Sequence, residues 1–145
     1  MNVVDIARLF RFVRESDVQN RGLRVEAIQR WSTGEFGDSW CAEFATMVLD
    51  LLFQGESPIP RLSAAQAIRD VCTKNGWIVE TPQVGDLYFY VDANDHAHHV
   101  GFVSQVSPLM GISGNTSADG TSDNGNGVYE HAITATHFGT YTRPA

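Results

Sequence analysis

The chain has few basic residues and no long apolar run, and each shortage excludes a class of protein. Ten Lys and Arg stand against seventeen Asp and Glu, which gives a net charge of −7. Because phosphate binding requires a concentrated basic surface, this balance argues against nucleic acid and against electrostatic adhesion to an anionic membrane or wall polymer. No apolar run approaches the roughly 20 residues that span a bilayer. We therefore expect no membrane insertion.

The start of the chain carries no recognisable export signal. Its first five residues, MNVVD, lack both a basic beginning and a contiguous hydrophobic stretch, the two marks of a secretory signal peptide. We therefore expect the protein to be cytoplasmic when it is synthesised. Its two cysteines, Cys41 and Cys72, could pair by number, but a reducing compartment favours two thiols over a disulfide.

Length and periodicity together predict one domain of mixed class. The 145 residues, 43% of them hydrophobic, can bury one sizeable core and leave little room for a second, so we predict a single domain over 1–145. Helical spacing of apolar residues comes first and β-like segments follow, which predicts an α+β fold with an antiparallel sheet. Ser63 is the expected N-cap of the last helix, and Gly76 its stop. The predicted helices cover 3–14, 25–31, 40–53 and 63–75, and the predicted strands 85–91, 99–106, 109–113 and 128–133.

One cysteine stands at the start of the third predicted helix. A loop over 34–39 ends there and an apolar helix begins, so we expect the sulfur of Cys41 in the first helical turn. The N–H groups and the positive dipole end of a helix favour negative charge and lower the pKa of a thiol placed there. The same N–H groups would meet the oxyanion of an acyl-transfer intermediate. We predict Cys41 as a catalytic nucleophile rather than a small core residue, and Cys72 as a buried, inert one.

A cysteine hydrolase also needs an imidazole that exchanges protons with the thiol. We choose His99, because strand alternation places His99, Gly101 and Val103 on one face and His98 on the other. Gly101 is expected to leave space beside the imidazole in which a helix terminus packs. The histidines set aside are His96, His98, His131 and His137.

A polar side chain from a neighbouring strand should orient that imidazole. Asn115 offers an amide oxygen that can accept a hydrogen bond from His99, which would complete a Cys-His-Asn set of the papain kind. Ser113, two residues earlier, would be a further polar contact on the same strand face. Ser113 and Trp40 are the predicted substrate-binding residues.

The motifs around these residues resemble those of a known family, the CHAP domain (cysteine, histidine-dependent amidohydrolase/peptidase). The segment 20–29 is also similar to the upstream region of that family, so the likeness covers nearly the whole chain. The motifs, in chain order, are 39–44 (SWCAEF), 82–87 (PQVGDL), 99–103 (HVGFV) and 114–116 (GNT).

The resemblance implies a papain-like α+β fold, with the catalytic cysteine at the N-terminus of a helix packed on an antiparallel sheet. It also implies cleavage of amide bonds in bacterial peptidoglycan, often as a phage endolysin acting on the wall after release. The family's nucleophile and base would fall on Cys41 and His99. One position departs from the pattern, since many members carry Glu two residues before the Asn where this chain has Ser113. The orienting role would then fall to Asn115 alone.

Metal binding has two candidate segments, and neither matches a known signature. His96 and His98 lie in the run 92–99, but their spacing fits no zinc motif. The glycine-rich loop 119–126 lacks the residue order of a Ca²⁺-binding loop. We expect no metal and no other cofactor, while Ca²⁺ binding by the loop stays open. Its candidate ligands are Asp119, Asp123, Asn124 and Asn126.

Two other functions stay open at this point. One is a different enzyme on the same scaffold, such as an interbacterial amidase effector or an acyltransferase. The other is a non-catalytic binding module in which Cys41 serves only packing, and a thiol that is unreactive at neutral pH would favour it. The sequence does not choose between a muramoyl-alanine amidase and an endopeptidase, and it does not give the target species or the oligomeric state.

Overall fold

The computed structural model describes residues 1–32, 35–117 and 125–141. Within these ranges four helices and a six-stranded antiparallel sheet form the predicted α+β class. The helices are α1 (Val3–Arg8), α2 (Leu23–Ser32), α3 (Cys41–Leu52) and α4 (Ala65–Lys74). The strands are β1 (Ile78–Val79), β2 (Leu87–Val91), β3 (Ala97–Val106), β4 (Leu109–Thr116), β5 (Gly127–Ala132) and β6 (His137–Gly139). None of the helices in the described ranges combines the length and apolarity that a membrane crossing requires.

The sheet has the strand order β1-β6-β2-β3-β4-β5. Its four longer strands, β2 to β5, correspond to the four predicted ones, although β3 begins two residues earlier and β4 runs on to Thr116. The sequence analysis misses β1 and β6 because they have only two and three residues, too few to show an alternating pattern. They pair with each other, and β6 also pairs with β2.

The first helix is shorter than the predicted 3–14. It ends at Arg8, and the chain at residues 13 and 14 pairs with the first residues of β5 instead. The carbonyl of Val13 accepts a hydrogen bond from the N–H of Val128, and Arg14 forms an isolated bridge with Gly127. These long-range backbone bonds replace helical ones, so tertiary pairing overrides the helical spacing of the sequence.

The ends of α4 give one correction and one agreement. The helix begins at Ala65 with Ala64 in the N-cap position, where no side chain caps it, so the predicted N-cap Ser63 is wrong. Gly76 follows the C-cap with a φ of +70°, a conformation that glycine adopts without steric cost. The predicted stop therefore stands.

The two faces of the sheet pack against different partners. Val100 and Phe102 of β3 join the helix-side core with Phe44 of α3, while Val103 lies with Tyr88 in a smaller cluster on the opposite face. This confirms the alternation predicted for β3. The ring of His99 lies on the second face, with its centroid 6.0 Å from that of Tyr88.

Candidate functional site

Cys41 is the first residue of α3, as the sequence predicts. Its N-cap, Trp40, makes no side-chain hydrogen bond to the first turn, so the positive end of the helix dipole lies directly at the sulfur-bearing residue. Only 3% of Cys41 is exposed. The structure therefore gives the thiol a setting that favours negative charge and admits little water.

A close contact with β4 fixes where α3 begins. A Cβ atom placed on Gly114 would lie 2.8 Å from Cζ3 of Trp40 and 2.9 Å from Cβ of Phe44. Trp40 is fully buried, and its indole N–H donates to a carboxylate oxygen of Glu15 at 2.8 Å. The absence of a side chain at Gly114 thus lets the first turn of α3 approach the sheet. The sequence analysis had assigned such close packing to Gly101.

Gly101 has a different neighbourhood from the one predicted. A Cβ there would lie 2.6 Å from Cβ of Ser113, 2.6 Å from Cε1 of Tyr88 and 2.8 Å from the carbonyl oxygen of Ile112. Two side chains and a neighbouring strand, rather than a helix terminus, fill the space beside His99. The expectation of a helix end at Gly101 is therefore wrong.

Substituting Gly114 by alanine should displace the start of α3. The new methyl group would meet two rings or side chains that are already buried, and overpacking of this kind costs about 1 to 3 kcal/mol of the free energy of unfolding. We expect a lower urea midpoint for Gly114→Ala, together with slower alkylation of Cys41. Gly55→Ala is the control for a loss of stability away from Cys41, because it strains the positive-φ backbone beyond the other end of α3 while its Cβ has no atom within 4 Å. An alkylation rate unchanged by Gly114→Ala would contradict this role of the contact.

A buried glutamine that the sequence analysis did not single out holds the loop before Cys41. Gln29 is fully buried in α2. Its amide nitrogen donates to the carbonyls of Asn20 and Asp38, both at 2.8 Å, and its amide oxygen accepts from the N–H of Gly37 at 3.4 Å. One side chain therefore joins two loops at the entrance to α3. The helical pattern of 25–31 predicts an outward position for Gln29 beside Glu26 and Arg30, and its full burial shows that this prediction is wrong.

His99 is fully buried and has a hydroxyl partner. Its Nε2 lies 2.9 Å from Oγ of Ser113, and that oxygen also accepts a hydrogen bond from the hydroxyl of Tyr88 at 3.0 Å. The ring of Tyr90 stacks on the imidazole at a centroid distance of 5.5 Å. Two adjacent strands thus hold the imidazole by its edge and by its face. His98 is exposed, and its ring, like that of His99, lies near the ring of Tyr90, at a centroid distance of 6.4 Å beside a register shift between β2 and β3. The predicted separation of the two histidines onto opposite faces is therefore not confirmed.

The phenol of Tyr88, which donates to Ser113, is fully buried. Burial raises the pKa of Tyr88 far above its ordinary value; the hydrogen bond to Ser113 opposes this rise, and Tyr90 and Cys41 add to it. The phenol therefore stays protonated at neutral pH and can donate to Ser113.

Asn115 of β4 contacts the loop that precedes Cys41. Its amide nitrogen donates to Oγ of Ser39 at 2.8 Å, two residues before the candidate nucleophile, and its backbone has a φ of +55° beside a register shift between β4 and β5. The hydrogen bond of the imidazole that the structure describes joins Nε2 of His99 to Oγ of Ser113. The orienting role of Asn115 stays a prediction, while its contact with the loop before Cys41 is a structural fact.

The two predicted substrate-binding residues are both fully buried. Trp40 packs against Gly114, and Ser113 contacts His99. Neither side chain presents surface to an incoming substrate in this conformation, which argues against the predicted contact. We therefore assign Trp40 to positioning the helix start and Ser113 to positioning the imidazole.

The second cysteine has the inert setting that the sequence predicts. Cys41 and Cys72 are thiols, not a disulfide. Cys72 is fully buried, burial raises its pKa to about 12, and its sulfur lies 3.8 Å from the carbonyl oxygen of Thr140. It therefore stays protonated at neutral pH and is a poor nucleophile.

The described residues contain no group of three or more His, Cys, Asp or Glu side chains arranged to hold a metal. Asp92 of the candidate run 92–99 accepts hydrogen bonds from the backbone of Asn94 and His96, which is the behaviour of a turn residue. Three of the four candidate Ca²⁺ ligands, Asp119, Asp123 and Asn124, lie outside the described residues.

No family model matches this chain, and no curated protein and no solved structure matches it either.

Proposed function

We propose that the protein is a cysteine hydrolase that cleaves amide bonds in bacterial peptidoglycan. The thiolate of Cys41 attacks the carbonyl carbon of the amide, and N–H groups at the start of α3 stabilise the oxyanion. His99 accepts the thiol proton and donates it to the leaving amine as the C–N bond breaks. Water then hydrolyses the thioester to a carboxylic acid and regenerates the thiol. In this scheme Ser113 holds the imidazole, and Asn115 holds the loop before the nucleophile.

One observation carries the proposal. Neighbouring residues of β4 contact both the imidazole and the loop before the thiol: Oγ of Ser113 lies 2.9 Å from Nε2 of His99, and Asn115 donates to Oγ of Ser39, two residues before Cys41 at the start of α3. A cysteine that only fills space in a core needs neither a helix N-terminus nor a buried histidine nearby. Both favour nucleophilic catalysis, because a helix N-terminus stabilises the thiolate and a histidine accepts the thiol proton.

The substrate class rests on the motifs of the sequence. The segments around Cys41, His99 and Asn115 resemble those of CHAP domains, which implies a papain-like arrangement and peptidoglycan as substrate. The net charge of −7 gives no electrostatic attraction to an anionic wall polymer, so recognition has to come from contacts at the site. The enzyme would act on the wall after release or delivery from the cell that makes it.

Mass spectrometry of purified peptidoglycan tests this proposal. We expect new soluble fragments after incubation with the wild-type protein and none with Cys41→Ala. The fragment masses distinguish an amidase, which separates glycan from peptide, from an endopeptidase, which cuts within the peptide. If the wild type releases nothing from several peptidoglycan types, the substrate assignment fails, and an amidase effector or acyltransferase with another substrate takes precedence.

A second candidate, a non-catalytic binding module, is favoured by the burial of Cys41, of which only 3% is exposed. Such a module would sediment with insoluble peptidoglycan without releasing fragments. Binding should then be equal for the wild type and Cys41→Ala. Alkylation of Cys41 at neutral pH that is slower in His99→Ala would exclude a binding module, because the reactivity of a thiol that only packs in the core does not depend on a base.

A further inference from the structure

A chain of buried hydroxyl groups leads from the body of the sheet to the imidazole of His99. The hydroxyl of Tyr88 donates to Oγ of Ser113 at 3.0 Å, and that oxygen lies 2.9 Å from Nε2 of His99. All three side chains are fully buried. These hydrogen bonds join three neighbouring strands, since Tyr88 lies on β2, His99 on β3 and Ser113 on β4.

The hydroxyl of Tyr88 contributes little to the stability of the fold, which points to another role. Its ring belongs to an otherwise apolar cluster with Val103, Ile133 and Phe138, where phenylalanine would pack as well. Burying a hydroxyl without a hydrogen bond is unfavourable, and making that bond returns little net stability. The hydroxyl therefore adds little to the fold that a methine would not give. Its effect falls on Ser113, whose oxygen it holds toward β3.

Serine by itself is a weak orienting group for an imidazole. Its hydroxyl rotates, and it can either donate to Nε2 of His99 or accept from it. A hydrogen bond from Tyr88 occupies one of the two lone pairs of Ser113 and limits that rotation. Ser113 can then meet the neutral and the protonated imidazole without moving its oxygen. No charge enters the buried site, in contrast to a carboxylate at the same position.

We infer that Tyr88 is a positioning residue for the Cys41–His99 pair and that it acts through Ser113. This inference rests on the proposed function for its catalytic consequence, but its structural content is independent of the substrate. The imidazole is held on its edge by the Ser113–Tyr88 hydroxyl pair and on its face by the ring of Tyr90. Two titratable side chains of β2, Tyr88 and Tyr90, lie against the imidazole, with ring centroids 6.0 and 5.5 Å from that of His99.

The reactivity of Cys41 toward iodoacetamide measures this positioning without any substrate. We expect a pH–rate profile for the wild type between about pH 5 and about pH 9 that reports a thiolate assisted by histidine. Tyr88→Phe keeps the ring and removes the hydroxyl, so it should shift the midpoint of the profile by about half a pH unit or more. With a peptidoglycan substrate, kcat should fall roughly three- to ten-fold while KM stays within about two-fold.

A double-mutant cycle decides whether the effect runs through Ser113. In the background of Ser113→Ala, Tyr88→Phe should have no further effect on the profile, since the hydroxyl has lost the group on which it acts. Tyr141→Phe is the matched control. It removes another buried tyrosine hydroxyl, which donates to the carbonyl of Gly85 at 2.7 Å, and it should leave the profile of Cys41 unchanged. Cys72 will not interfere, because burial raises its pKa to about 12.

The possible outcomes separate this inference from the proposed function. A wild-type profile retained in Tyr88→Phe, or effects of Tyr88→Phe and Ser113→Ala that simply add, would overturn the inference even if the wild type cleaves peptidoglycan. A non-additive shift in a protein that cleaves no peptidoglycan would support the inference and overturn the substrate. If Tyr88→Phe does not fold, NMR of the wild type and Ser113→Ala replaces it. A slowly exchanging hydroxyl proton of Tyr88 that Ser113→Ala abolishes is then the expected result, and its absence from the wild type overturns the inference.

Discussion

Replacing Cys41 by serine is expected to abolish hydrolysis while leaving the fold intact. Serine is close in size to cysteine, so the first turn of α3 and its contact with Gly114 should persist. The hydroxyl is a far weaker nucleophile at neutral pH, because a helix N-terminus lowers a thiol pKa into the working range but leaves a serine hydroxyl protonated. We expect kcat to fall by about 10⁴-fold or more. Release of soluble peptidoglycan fragments over time gives the measurement.

Cys72→Ser is the matched control for this change. It makes the same substitution at a second buried cysteine, one whose pKa is raised to about 12 and whose neighbours are Gly139 and Thr140. Rates are compared per folded molecule, with the folded fraction taken from circular dichroism. Cys72→Ser should retain the wild-type rate. A residual rate for Cys41→Ser above about one per cent of wild type would remove Cys41 from the role of nucleophile.

The fold class follows from the sequence because its signals are local. Apolar spacing identifies the body of every helix, and alternation identifies the four longer strands of the sheet. What the sequence does not reveal depends on contacts between distant segments. Helix α1 stops at Arg8 because Val13 and Arg14 find backbone partners on β5, and the short strands β1 and β6 form because β6 pairs with both β1 and β2.

The candidate site shows the same division. The helical position of Cys41 and the buried strand position of His99 follow from local pattern, and the structure bears out both placements. Which side chain reaches the imidazole depends on the register between β3 and β4, where Phe102 pairs with Ile112 and Val103 with Gly111. Sequence reasoning has no access to that register.

The same register explains two other surprises. It brings Ser113 beside Gly101, where the prediction had expected a helix end, and it brings Gly114 under Trp40. Both glycines therefore serve close packing, but each serves a neighbour other than the one inferred from the sequence. Tyr88 escaped notice for a related reason, since a tyrosine in an apolar strand gives no sign of where its hydroxyl points.

Two adjacent histidines allow a direct test of the base. His99→Ala should lower kcat by about 10³-fold, the usual scale for loss of a general acid–base group. It should also slow the alkylation of Cys41 at neutral pH, because the thiol loses the imidazole that takes its proton. Removing one buried ring will lower the urea midpoint of unfolding, and we expect no destabilisation beyond that. Urea titration alongside the kinetics measures this midpoint.

His98→Ala supplies the control because it makes the same change at the adjacent, exposed residue of β3. His98 is exposed, and its ring lies 6.4 Å from that of Tyr90 in a tilted arrangement. Removing an exposed side chain changes stability by about 0.5 kcal/mol at most, so the rate should stay within about two-fold of wild type. An equal loss of kcat in both variants would show that the integrity of β3, rather than one imidazole, determines activity. A severe loss in His98→Ala alone would assign the role of base to the exposed imidazole of His98. Only a large effect confined to His99→Ala agrees with a buried base held by Ser113.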